Sequence, residues 1–191
     1  MRWFFSGLKR GNACRPVTHD ESAGQSTPFT SSLSGAQLFL RTQDAYLQQV
    51  DGALDRMSLL AAESQDCTKT DDERAELQQE FATLAGYITD IAAKEINQVR
   101  LFSGSLLIVT IAGHNGICQI PGISLNLSAY TGATSARIAT PADATSALEA
   151  VTAAIAQLDM DRASITASEK QLLLVNDQLA ALDEELAAAL N

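Results

Sequence analysis

The stretch Leu40-Arg41-Thr42-Gln43-Asp44-Ala45-Tyr46-Leu47-Gln48-Gln49-Val50-Asp51-Gly52-Ala53-Leu54 decides how this chain folds. Leu40, Leu47 and Leu54 recur every seven residues, and Ala61 extends the row. Gln43, Val50 and Met57 form a companion row. Steps of three and four put both rows on one face of an α-helix, the pattern of helix packed lengthwise on helix. The spacing predicts a helix over residues 34–64. Residues 1–33 hold Gly7, Gly11, Pro16, Gly24 and Pro28 and carry no period, so that segment reads as irregular.

The segment Gln65–Thr70 breaks the helical pattern. Thr70 followed by Glu73 fits a capping box, in which hydroxyl and carboxylate satisfy free backbone N–H groups. A second helix is predicted over 71–95, with a seam of Leu77, Phe81, Leu84, Ile88 and Ile91. The short loop makes it antiparallel to the first. Between residues 101 and 138 the period changes. Leu106–Ile111 is an apolar, β-branched run, Gly113-His114-Asn115-Gly116 a turn, and Ile117–Ile120 a returning strand, which together read as a hairpin. A further short strand is expected within 124–130. Thr140 then caps a last helix whose first residue is Pro141, where a missing N–H costs nothing. That helix is predicted over 141–190. Its seam starts as Leu148, Val151, Ile155, Leu158 and Ile165, is interrupted by Arg162 and Glu169, and shifts to Leu172, Val175, Leu179, Leu182 and Leu186. The expected fold is mainly α: an elongated bundle of long antiparallel helices over 34–191, with a small β-hairpin region inserted before the last helix.

The 191 residues are 46% hydrophobic but only 5% aromatic, which suits side-by-side helices better than a β-sandwich. A formal net charge of −10 argues against binding nucleic acid or an anionic membrane face. No stretch reaches the apolar length of a membrane span. Met1-Arg2-Trp3-Phe4-Phe5 is soon followed by Lys9 and Arg10, too short an apolar run for the core of a secretory signal. Cys14, Cys67 and Cys118 have no framework spacing. With His19 and His114 they make no metal-ligand pattern, so neither metal nor cofactor is expected. Asp71, Asp72 and Glu73 sit at a helix start, where the helix dipole explains them. Asp183, Glu184 and Glu185 lie on a solvated face. There is no nucleophile elbow or phosphate loop, so no enzyme is expected. Arg162 has two readings: a long side chain snorkelling from a core edge, or an ion pair that fixes the register of two helices.

Particular strings carry a resemblance. Thr42-Gln43-Asp44-Ala45-Tyr46-Leu47 resembles the flagellin stretch T-[AQ]-[ED]-G-A-L, and Leu54-Asp55-Arg56-Met57-Ser58-Leu59-Leu60-Ala61 resembles L-x-R-[IM]-x-E-L-[AK]. Asp72 to Phe81 is similar to the acidic start of the next flagellin helix. Ile96-Asn97-Gln98-Val99-Arg100-Leu101-Phe102 resembles F-N-G-x-x-L-F. Ser6-Gly7-Leu8-Lys9 and Asp20-Glu21-Ser22-Ala23-Gly24 resemble the two ends of the family's S-S-G-L-R-I-N-S-A-x-D-D-A-A-G motif. The last helix, around Ala147 to Leu190, is similar to the C-terminal core helix. Departures are Gln98 in place of a turn glycine, Leu59 in place of a glutamate, and an unmatched Arg10–His19. The family's terminal helices, which line the filament's inner tube, are expected to be missing.

The resemblance to the bacterial flagellin family implies a structural subunit of the flagellar filament, acting by lateral self-packing of helices. It implies an extracellular location reached through the flagellar export channel. Implied partners are other flagellin subunits, with junction or cap proteins and an export chaperone. Two alternatives are a non-polymerising, flagellin-derived coiled-coil interaction protein and a hook–filament junction protein. Arg56 and Leu60 match positions that, in many flagellins, touch a toll-like immune receptor and the neighbouring subunit. Gln43, Asp44 and Arg162 complete the candidate contact residues. The other reading is a salt-bridging surface Arg56 and a core Leu60; the place of Leu60 off the strict heptad row favours exposure.

Overall fold

In the computed structural model the described residues are 15–16, 33–111 and 116–189. Residues 113–115 of the expected turn, the motif ends in 6–9 and 20–24, and Cys14, His19 and His114 lie outside them. In chain order the elements are β1 (Arg15–Pro16), α1 (Leu33–Ser64), α2 (Asp71–Ala92), β2 (Glu95–Ile96), β3 (Val99–Arg100), β4 (Leu107–Ile111), β5 (Gly116–Ile120), α3 (Ser128–Ser135) and α4 (Pro141–Ala189).

Both predicted rows of α1 are buried: Leu40, Leu47, Leu54 and Ala61 on one, Gln43, Val50 and Met57 on the other. They face α4, whose inner row is Ala144, Ala147, Val151, Ala154, Leu158, Ile165 and Leu172. Alanines at three of these positions bring the α4 backbone close to the larger leucines of α1, and large against small gives interdigitation without voids. α1 and α4 run antiparallel. The hydroxyl of Ser64, the last residue of α1, donates to the carbonyl of Ile138, just before α4 begins. With 49 residues, α4 is about 74 Å long.

The seam of α4 does not shift as expected. Its inner row keeps steps of three and four from Ala144 through Val175, with half-buried Asp161 and buried Ser168 filling the polar positions. The hydroxyl of Tyr130 donates to Asp161 at 2.6 Å, and Ser168 bonds its own helix at Ser164. A row broken by Arg162 in sequence is therefore the flank of a continuous seam. Beyond Val175 burial fades, and Leu182 is exposed.

The capping box forms as predicted. The N–H of Glu73 donates to the Thr70 hydroxyl, and the Glu73 carboxylate accepts from the Thr70 N–H at 2.8 Å. α2 then runs antiparallel to α1, with Phe81, Ile88 and Ile91 buried. The α1–α2 loop is held by Arg74, whose buried guanidinium donates to the carbonyls of Ser64, Asp66 and Lys69.

Two expectations fail locally. α2 ends at Ala92, not at residue 95, because Asn97 and Gln98 both take positive φ, 49° and 66°. Two such residues make the tight turn that folds Glu95–Ile96 onto Val99–Arg100. Residues 124–130 form no strand. Ser124 makes a single bridge to Ser103, and α3 begins at Ser128. Tyr130 and Ala133, three apart, are buried, so helical spacing wins over the alternation of Leu125 and Leu127. The hairpin itself forms in register from Leu107↔Ile120 to Ile111↔Gly116, with β1 added beside β5.

Gln98 occupies the left-handed backbone region that disfavours a side chain. Gln98→Gly is therefore expected to stabilise the chain by about 0.5–1 kcal/mol, read as a higher urea midpoint at unchanged slope.

Candidate interaction surface

The residues that sequence points to divide into two groups. Gln43 and Leu60 are interior. Gln43 is 2% exposed and its amide donates to the Leu101 carbonyl, tying the middle of α1 to the chain that follows the β2–β3 turn. Leu60 is fully buried, while its neighbour Leu59 is 62% exposed. The expectation that Leu60 faces solvent is overturned. It lies three residues after Met57 and seven after Ala53, both buried, and so joins the apolar face.

Asp44, Arg56 and Arg162 are accessible and each is paired. Arg56 on α1 donates through Nε and Nη2 to both oxygens of Glu80 on α2, at 2.6 and 2.9 Å. This fork-on-fork geometry fixes direction as well as distance. Arg162 on α4 reaches two carboxylates of α1 at once, Asp44 at 3.3 Å and Asp51 at 3.2 Å. Asp44 and Asp51 are seven apart and so share a helical face, and one guanidinium spans two turns of α1. Between the two sequence readings of Arg162, the geometry selects the register-fixing ion pair. The signal for Asp51 was present in its heptad spacing from Asp44.

Glu80 is held below the usual carboxylate range, first by the Arg56 hydrogen bond and then by its charge. Glu73 is lowered by the Thr70 backbone and hydroxyl hydrogen bonds. Asp66 is lowered by the Thr68 backbone and side chain, which it accepts within the loop. Burial, then the bond to Asp161, pushes the Tyr130 phenol up. Among the described residues no cluster of three metal-ligating side chains occurs, Cys118 is buried and Cys67 is exposed. No described helix is long and apolar enough to cross a membrane.

Among the described residues these features define a helical rod whose charged pairs staple its own helices together. No protein-family model and no curated protein matches the chain. Among solved structures, the chain is similar to the flagellin of Bacillus cereus, with a TM-score of 0.65 and 20% identity over 80% of this chain and 90% of that one. The fold is flagellin-like.

Removing the guanidinium leaves Asp44 and Asp51, on one face of α1, without their shared cation. Arg162→Met is expected to cost about 1–2 kcal/mol in urea denaturation at low salt, and much less in an Asp44→Asn/Asp51→Asn background.

The depressed carboxylates also set an acid limit. A folded-state value below the unfolded one contributes stability that is present above the unfolded value and lost as pH falls through the folded one. Thermal midpoints are expected to hold down to about pH 4.5, the ordinary glutamate value, and to fall below it. Glu73→Gln/Glu80→Gln should flatten that fall.

Proposed function

We propose that this chain is a structural subunit of the bacterial flagellar filament, working outside the cell and packing laterally against copies of itself. One observation carries the reading: the likeness to a flagellin spans most of both chains. The resembling strings within residues 42–102 fall on α1, α2 and the β2–β3 turn, the elements that build this core. A subunit of this kind performs no bond chemistry. It needs a rigid rod, which Arg162 and Arg56 supply by locking α4 and α2 to α1. It also needs open helix faces to meet its neighbours. Other subunits are then the first partners, with an export chaperone and junction or cap proteins acting before and during assembly.

The test is incorporation. Epitope-tagged chain expressed in a flagellated cell is expected along filaments in immunogold electron micrographs. A label confined to the cell body, with purified chain also failing to join filaments in vitro, would favour the non-polymerising reading.

A further inference from the structure

α4 carries a second heptad row. Ala153, Ala156, Met160, Ala163 and Ala167 follow steps of three and four, and all are exposed. The row lies two residues from the inner one, about 200° round the helix, so it faces away from α1. Met160, 59% exposed, stands up from a ridge otherwise made of alanines.

A groove lies on the same chain, between α2 and α3. It has a volume of about 520 Å³. Its floor is small, with Ala82, Gly86 and Thr89 from α2, and Thr131 and Ser135 from α3. A Cβ built on Gly86 would meet nothing within 4 Å, so the groove is open there. Among the described residues no charged side chain lines it. In a chain of net charge −10, an uncharged ridge and an uncharged groove are where two copies meet with least repulsion.

Charge gives the direction. Arg137 borders the groove at its Gln78 end. Glu149, four residues before Ala153, stands at the start of the ridge on α4. Both are available: neither side chain makes an ion pair among the described residues. If Met160 of one copy enters the groove at Gly86 of another, with the α4 of the first parallel to the α2 of the second, Glu149 lies level with position 75. That is about 4.5 Å beyond Gln78 and within reach of Arg137. Within one chain α2 and α4 already run parallel, since each is antiparallel to α1. The charge pairing therefore calls for two copies in the same orientation.

We infer that the α4 ridge centred on Met160 docks into the α2–α3 groove of a second copy, with Glu149 meeting Arg137. The ridge is convex and the groove concave, so neither pairs with itself. The contact is head-to-tail and leaves a free ridge and a free groove at either end, which extends an array. This rests on the proposed self-packing role and assigns its faces.

Two measurements on the full chain test it. In a Cys14→Ser/Cys67→Ser/Cys118→Ala background, Gly86→Cys chain is mixed with Met160→Cys chain and oxidised with copper–phenanthroline. A covalent dimer is expected from the mixture and not from either chain alone. Separately, Arg137→Glu and Glu149→Arg are each expected to raise the concentration for half-assembly by about fivefold, and the double variant to restore it. If particles form without the cross-link and without sensitivity to charge, the ridge-and-groove assignment is overturned while the self-packing role stands. If the unmodified chain stays monomeric at every concentration, both fall.

Discussion

The rest of the structure depends on the α1–α4 seam. Three successive heptads of α1 present leucines, Leu40, Leu47 and Leu54, and α4 presents alanines at three positions of its inner row, which lets the two backbones approach closely. Apolar packing alone would tolerate a slip of one heptad, because leucine follows leucine every seven residues. Arg162 removes that freedom. Its guanidinium bonds Asp44 and Asp51 together, and a slip of seven residues would keep one bond and lose the other. The seam is thus stabilised by burial and placed in register by charge.

The remaining elements are positioned by that pair. α2 returns along α1 through a loop organised by Arg74 and a start fixed by Thr70 and Glu73. Gln43, buried in the seam, holds Leu101 and so anchors the segment leading into the β4–β5 hairpin. α3 closes onto α4 through Tyr130 and Asp161. Each of these is a polar group satisfied at the edge of an apolar face, and leaving any of them unpaired would cost about 1–3 kcal/mol. The burial leaves α4 with a second face that none of the described elements covers.

Much of this was legible in the sequence because helices announce themselves through spacing. The 3–4 rows of α1 and α2 gave their burial almost residue by residue, and Thr70-to-Glu73 and Thr140–Pro141 gave helix starts. The misses have physical causes. The early end of α2 turned on two left-handed residues, Asn97 and Gln98, neither of them glycine. α3 is eight residues long, too short for a period to show against the alternating Leu125 and Leu127. Leu60 lies off the strict a/d row, but a helix packed against both α2 and α4 buries a wider stripe. The pairing of Arg162 was visible as a polar break in an apolar row, but its partners lie more than a hundred residues away, and sequence alone left two readings open.

On the proposed function, a rod stapled internally, with a convex ridge and a concave groove, meets its own copies through those two faces. Sedimentation equilibrium of the purified full chain over a wide concentration range tests this most directly. The account predicts a weight-average mass that climbs past the 20.3 kDa of one chain without levelling at a dimer. A mass fixed at one chain throughout, or a plateau at two, would contradict it.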